Sequence, residues 1–164
     1  MNRAELEKKI RNIVHELVNE KGYVCSVDVL MRLNYLTKTD YENWRFGRVE
    51  YLEKVCQVNL GKLSTINRFI MQITAKANLK PSWTGYNKYG KGARTRLRFS
   101  KSGNENIEKL YATHYISEYV MQKLKQNKQN KAKLNQSIDQ QLDSETDMYP
   151  ILPIDFFFGD NEGR

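Results

Sequence analysis

The sequence predicts a mainly helical domain with one small β-hairpin, followed by a C-terminal helix and a disordered tail. Apolar residues recur at spacings of three and four over long stretches, which is typical of helices that bury one face. Strict alternation is seen at 94–99, where arginines alternate with Thr95, Leu97 and Phe99. The chain has 164 residues, the length of one domain plus a tail, and we expect the domain to occupy 1–125.

The chain opens with a predicted helix over 3–20, whose apolar residues fall on one stripe between charged ones. Gly22 follows as a helix stop, because glycine adopts the left-handed conformation at low cost. Residues 23–25 indicate a short strand. Ser26 is the expected N-cap of a second helix, since its hydroxyl can accept a hydrogen bond from a free backbone N–H.

A third helix is predicted over 39–56. Thr39 and Glu42 have the spacing of a capping box, in which each side chain satisfies a free N–H of the other residue. Gly47 lies inside this stretch and indicates that the helix divides in two.

The most regular helix is predicted over 60–78, with apolar residues repeating at three- and four-residue spacing. Its opposite face carries no acid. Arginine and glutamine are the side chains that pair with guanine and adenine edges, and threonine can pair with either. The candidate DNA contacts on this helix are Thr65, Arg68, Gln72 and Lys76.

Residues 83–99 predict the β-hairpin. Its first arm holds Trp83 and two tyrosines, and its loop holds the glycines that a tight turn requires. Three arginines point to one face of the second arm, where like charges repel one another unless an anion binds. The candidate phosphate contacts of this segment and its flank are Lys88, Lys91, Arg94, Arg96, Arg98 and Lys101.

The net charge of +8 comes from one part of the chain. Residues 54–104 hold 11 basic and no acidic side chains, whereas residues 1–53 hold nine of each. A field of one sign attracts polyanions, and nucleic acid is the commonest large polyanion in a cytosol. The segregation favours a nucleic-acid partner over a generally basic surface.

The order of helix, short strand, two helices and basic hairpin over 3–99 resembles the winged-helix family of DNA-binding domains. The resemblance implies a recognition helix in the major groove, matched here by 60–78, and a wing on phosphates or the minor groove, matched by 83–99. The extra helix over 39–56 departs from this pattern and could itself be the recognition helix. Its outward side chains would then be Asn43, Arg45 and Arg48.

A C-terminal helix is predicted over 104–125, capped by Asn104. Its broad apolar face would either close the core or form the seam of a homodimer. Residues 126–147 are rich in Gln, Asn, Lys and Asp, which is typical of a disordered linker with partial helicity.

An isolated apolar and acidic peptide follows at 148–164. Residues 154–157, Ile-Asp-Phe-Phe, resemble the short peptides that dock on replication sliding clamps, although Pro153 stands where glutamine is usual. The side chains expected to bind a partner protein, this chain's own core or a second copy are Ile154, Phe156, Phe157 and Phe158. An interaction adaptor, whose basic face binds RNA or an acidic partner, is therefore the alternative function.

Motifs for catalysis and for cofactors are weak. The two cysteines and two histidines form no CxxC or HxxxH pair, so we expect no metal site. Residues 85–91 match the start of a phosphate-binding loop, but Gly92 stands where Ser or Thr would reach Mg²⁺. No apolar run approaches the roughly 18 residues of a membrane span, and no signal peptide is recognisable. We expect a cytoplasmic, non-enzymatic protein without cofactors that binds double-stranded DNA, as a transcription regulator or an accessory factor.

Overall fold

The computed structural model describes residues 1–141 of the chain, with side chains through Ile138. Within this range, helices surround a small antiparallel sheet, which confirms the mainly helical class. The helices are α1 (Arg3–Lys21), α2 (Ser26–Arg32), α3 (Lys38–Arg45), α4 (Leu60–Lys76), α5 (Glu105–Ala112) and α6 (Glu118–Gln141). The strands are β1 (Tyr23–Cys25), β2 (Lys80–Trp83) and β3 (Thr113–Ile116), and a short 3-10 helix occupies Leu52–Val55.

The sheet has the order β1-β3-β2, so the last strand of the chain lies between the first two. Ile116 pairs with Tyr23 on one side and with Lys80 on the other. All four residues of β3 are buried, whereas Trp83, at the end of the edge strand β2, is exposed. The chain therefore leaves the sheet and reaches the surface at Trp83.

Two groups of contacts form the core around this sheet. The apolar stripes of α1 and α4 pack against each other, and Ile10 and Ile66 are completely buried. An aromatic cluster then joins α3 to the segment after β2, with the Trp44 ring 5.6 Å from Tyr86 and 5.1 Å from Phe99. This cluster positions the basic segment that follows Trp83.

The predicted first helix, first strand and fourth helix are confirmed. Asn2 and Glu5 form a capping box at the start of α1, with the Asn2 Oδ1 accepting from the Glu5 N–H at 2.9 Å. Gly22 ends the helix in the left-handed region, with φ of 81°. α4 begins after Asn59, whose side chain accepts from the Lys62 N–H at 2.8 Å.

Two predicted caps are wrong. Ser26 is the first residue of α2 and does not cap it, because its buried hydroxyl donates to the Asn67 Oδ1 at 2.6 Å. A buried hydroxyl needs a partner, and α4 supplies one. α3 is capped by Thr37, two residues before the predicted Thr39, through a 3.0 Å hydrogen bond from the Asp40 N–H.

The predicted helix over 39–56 divides at Gly47, as its sequence indicates. α3 ends at Arg45, and Gly47 adopts φ of 76°. Only the 3-10 turn Leu52–Val55 follows.

The continuous helix predicted over 104–125 is wrong. Asn104 does cap α5, accepting from the Asn106 and Ile107 N–H groups, but the helix ends at Ala112 and β3 follows. A central strand is apolar on both faces, and over a short run this pattern cannot be distinguished from a broad helical face. Residues 111–116 are buried in the chain's own core, so the one long helix on which the homodimer seam is predicted is absent from 104–125, and the homodimer itself stays a prediction.

Residues 126–141, predicted as part of a disordered linker, continue α6 as a helix. Lysine, glutamine and alanine are good helix formers, and the helix extends from a start that Leu124 anchors in the core. The rest of the predicted linker, 142–147, and the peptide 148–164 lie outside the described residues.

The hairpin predicted over 83–99 is irregular. A single antiparallel bridge joins Asn87 to Arg96, and the Lys88 N–H donates to the Thr95 carbonyl at 2.8 Å. Trp83 belongs to β2 and pairs with β3 instead. The regular ladder stops because the Tyr89 N–H donates at 2.7 Å to the carbonyl of Arg45.

Candidate nucleic-acid interface

The segment between β2 and Phe99, residues 84–98, is named the basic loop here and holds five of the predicted contact residues. It is anchored at its end by the 3-10 turn, where the Leu52 N–H donates to the Arg98 carbonyl at 3.2 Å. The Trp44 Nε1 donates to the same carbonyl at 2.8 Å. The buried backbone at Arg98 is thus satisfied, while the Arg98 side chain stays exposed.

A buried arginine holds the middle of the basic loop. Arg45 of α3 is 3% exposed, and its guanidinium lies 4.1 Å from the ring centre of Tyr89 and 4.9 Å from that of Tyr86. Its Nη1 donates to the Tyr41 hydroxyl at 2.8 Å, and its Nη2 donates to the Asn87 carbonyl at 3.2 Å. Arg45 therefore binds the loop from beneath, and the prediction that it points outward is wrong.

Exposed arginines of this region lie on aromatic rings. The Arg96 guanidinium is 4.8 Å from the ring centre of Trp83, and that of Arg98 is 5.3 Å from Tyr51. Beside the loop, the Arg48 guanidinium is 4.9 Å from the Phe46 ring. A cation on a ring keeps its charge and most of its N–H donors, so these groups remain able to bind an anion.

The cations of the acid-free stretch 54–104 are almost all without ion pairs. Among side chains of residues 1–138, only Lys54 of the eleven has one, 3.8 Å from Glu50. Two carboxylates, Glu53 and Glu108, do contact this stretch, but they accept hydrogen bonds from its backbone, at Lys101 and at 99–100. The fold therefore uses these acids as backbone caps and leaves the side-chain charges uncompensated.

The polar face of α4 is on the surface, as predicted. Arg68, Gln72 and Lys76 are exposed, at intervals of four residues along one side of the helix. Thr65 is half-buried, and its hydroxyl donates to the Gly61 carbonyl at 3.1 Å. Three of the four predicted base contacts are thus free to meet a ligand, and the fourth has its donor occupied.

A groove of about 650 Å³ runs between the C-terminal half of α4 and α1, lined by Gln72 and Lys76. α1 contributes Glu7 and Arg11, whose side chains pair at 3.2 Å. The face that carries no acid in sequence therefore has one carboxylate beside it, and that carboxylate is already bound to an arginine.

Lys101 connects the basic loop with the start of α4. A second groove of about 650 Å³ is lined by Lys101 and by Ser64 of α4, with Ile107 of α5 on its other side. Lys101 therefore lies beside the start of α4, three residues after the end of the basic loop.

Phe46 is not among the predicted contacts, and Arg45 and Arg48 are predicted only as outward side chains of the alternative recognition helix. A signal for the exposed pair is present in the sequence, since Phe46 and Arg48 flank a glycine that turns the chain. No sequence pattern marks the burial of Arg45, because two of the rings that enclose it, Tyr86 and Tyr89, lie more than 40 residues away.

Thiol or metal chemistry has no support at this surface. Burial raises the pKa of the Cys56 thiol to about 12 and that of Cys25 further, so both are protonated at neutral pH. Burial lowers the pKa of His114, which stacks on Tyr23 with ring centres 5.3 Å apart. Within the described part of the chain, no three His, Cys, Asp or Glu side chains are grouped to hold a metal ion.

The helices of residues 1–141 include none with the length and apolar character needed to cross a bilayer. No protein-family model, no curated protein and no solved structure matches this chain.

Proposed function

We propose that this chain is a non-enzymatic protein that binds double-stranded DNA, with α4 in the major groove and the basic loop on the phosphates. The proposal is based in part on the resemblance to winged-helix domains, in which a recognition helix precedes a basic wing. Phosphate contacts position the protein, and base contacts by the helix then specify the site.

One observation carries the proposal: ten of the eleven cations in 54–104 form no ion pair among the described side chains. Uncompensated charges of one sign repel one another, and the field that they create attracts a polyanion. Hydrogen bonds from Arg45 to the Asn87 carbonyl and from Trp44 to the Arg98 carbonyl support the same reading, because they fix the loop on both sides of its exposed middle.

The structure favours α4 over the segment 39–56 as the helix that reads bases. Arg45 is buried among tyrosines, and the Arg48 Nη1 donates to the Asn43 Oδ1 at 3.0 Å. Of that helix's three proposed readers, one is therefore enclosed and two are bonded to each other. Arg68 and Gln72 of α4 are exposed and make no such bond in the described region.

The test is the salt dependence of binding to a labelled 20-base-pair duplex, measured by fluorescence anisotropy. If five to seven phosphates are neutralised, log K should fall with log salt at a slope of about −5 to −6. Replacing Arg94, Arg96 and Arg98 together by glutamine should reduce the slope by about 3 and weaken all sequences alike.

A matched control removes the same charge from α6, where Lys125, Lys128 and Lys133 are exposed. Replacing these three by glutamine should leave the slope within about 1 of the parent value. Equal losses in both triple variants would show that only net charge matters, and an unchanged slope in the loop variant would refute the proposed wing.

The predicted partner protein for Ile154, Phe156, Phe157 and Phe158 remains a proposal as well. This peptide lies outside the described residues, so its binding is argued from its sequence alone. A chain ending at Leu124 tests it: unchanged DNA binding with loss of a partner supports the adaptor function, and stronger DNA binding supports a tail that covers the basic surface.

A further inference from the structure

Trp83 is the least expected feature of the surface. Its side chain is 52% exposed, although most other aromatic residues next to the basic loop are buried or half-buried. It stands at the end of β2, where the chain leaves the sheet and enters the loop. An exposed indole of this size is typical of a binding surface.

The indole is held in place together with an arginine. The Arg96 guanidinium lies over the ring at 4.8 Å, and the Arg96 Nε donates to the Asn87 Oδ1 at 3.0 Å. Gly85 makes room for this pair, because a Cβ at that position would overlap both the guanidinium and the ring. Four residues together hold an exposed indole ring with a positive charge beside it: Trp83, Gly85, Asn87 and Arg96.

We propose that Trp83 stacks on an unpaired base, so that the DNA bound by this protein carries a single strand next to its duplex. The duplex part of this inference rests on the proposed function, and the unpaired base is the new element. Every base has a π-face that an exposed indole can cover, whereas the faces of paired bases are hidden inside the duplex.

The charges next to Trp83 fit such a ligand. Base stacking on an aromatic ring is stronger than a cation–π contact at an exposed site, so the base displaces the guanidinium from the indole. The freed Arg96 guanidinium can then pair with the phosphate of the stacked nucleotide. Tyr51 with Arg98, and Phe46 with Arg48, repeat the combination of ring and arginine around the loop.

Intrinsic fluorescence provides a direct measurement, because the chain has two tryptophans and they differ in exposure. Trp44 is completely buried, and Trp83 is exposed. The ligands are a blunt 20-base-pair duplex and the same duplex with a tail of eight unpaired thymines. We expect the tailed duplex to quench the exposed tryptophan and to bind about tenfold more tightly, and the blunt duplex to do neither.

Replacing Trp83 by leucine should abolish the quenching and the tenfold gain, with little change in binding to the blunt duplex. The matched control is Tyr119→Leu on α6, which removes another exposed ring with a cation over it, Lys123 at 5.0 Å. That variant should keep the full gain. Gly85→Ala is a second route to the same answer, since its Cβ would displace both the guanidinium and the indole and should reduce the gain although the tryptophan is still present.

The outcomes separate this inference from the proposed function. Tight binding of the blunt duplex with no gain from the tail would overturn the unpaired-base site and leave duplex binding standing. Suppose that the protein bound the tailed duplex but not the blunt one, and that Trp83→Leu removed this binding. That result would support the stacking site and refute binding to the paired region. A tail of RNA distinguishes the source of the base, and a gain confined to RNA would overturn the assignment to DNA.

Discussion

Residues 1–53 and residues 54–104 carry similar numbers of cations, nine and eleven, but hold them in different ways. In the first region, three of the nine cations have a carboxylate partner among the described side chains: Arg11, Lys21 and Arg32. In the second region, Lys54 is the one cation of the eleven with an ion pair to a side chain of residues 1–138. Aromatic rings contact cations in both regions, so the difference lies in the carboxylates, of which the first region has nine and the second none.

This difference separates charges that serve the fold from charges that are available to a ligand. A carboxylate neutralises its partner and fills its N–H donors, so little field reaches the solvent. A ring holds Arg96 or Arg98 in position but leaves the net charge and several donors exposed. The second region thus combines a fixed geometry with an uncompensated field.

The largest expected effect comes from breaking the core under the basic loop. Trp44 is completely buried between Tyr86 and Phe99, and its Nε1 bonds the loop backbone at Arg98. Trp44→Ala should lower the free energy of unfolding by about 3–5 kcal/mol, because it leaves a large cavity and removes one of the two hydrogen bonds to the Arg98 carbonyl. Urea unfolding followed by circular dichroism measures it. Trp83→Ala, at the exposed ring, should cost less than about 1 kcal/mol.

A smaller loss of stability is expected from replacing Arg45, a cation of the first region that holds the basic loop of the second region in place. Arg45→Ala removes the bonds to the Tyr41 hydroxyl and the Asn87 carbonyl and the contact with Tyr89, and should cost about 2–3 kcal/mol. Arg45→Lys should recover only part of this, since lysine lacks the planar fork. Thermal unfolding measures both, and Arg48→Ala at the surface is the control. Equal stability of all three variants would contradict the positioning of the loop by Arg45.

On α4, the comparison predicts effects on binding instead of stability. Arg68→Ala and Gln72→Ala should each weaken binding to a preferred duplex by about 1–3 kcal/mol, because a base contact is lost. A preferred sequence is first selected from a randomised duplex pool, and anisotropy then compares it with a scrambled duplex. Losses of the same size on both duplexes would assign these side chains to phosphates.

The sequence was sufficient to predict an element when the residues of that element alone indicate its structure. α1, α4 and the Asn104 cap follow from periodicity and local hydrogen-bonding groups, and the charge segregation is visible without any structure. β3 could not be predicted, because a central strand and a helix buried on all sides have the same short apolar pattern. Arg45 could not be predicted either, since burial of a cation requires rings that arrive from distant segments.

The smallest expected effects are those of Arg32→Gln and Arg68→Gln. They test the comparison most sharply, because stability and DNA binding are measured for both variants. Arg32 binds Glu16 and Glu20 on α1, and Arg68 on α4 has no carboxylate partner in the described region. Arg32→Gln should lower stability by less than about 1 kcal/mol at low salt, and this difference should vanish in 1 M salt, where exposed pairs are screened. Arg68→Gln should leave stability unchanged at either salt concentration and weaken DNA binding, which Arg32→Gln should not. If both variants lost stability equally, the two regions would hold their charges in the same way.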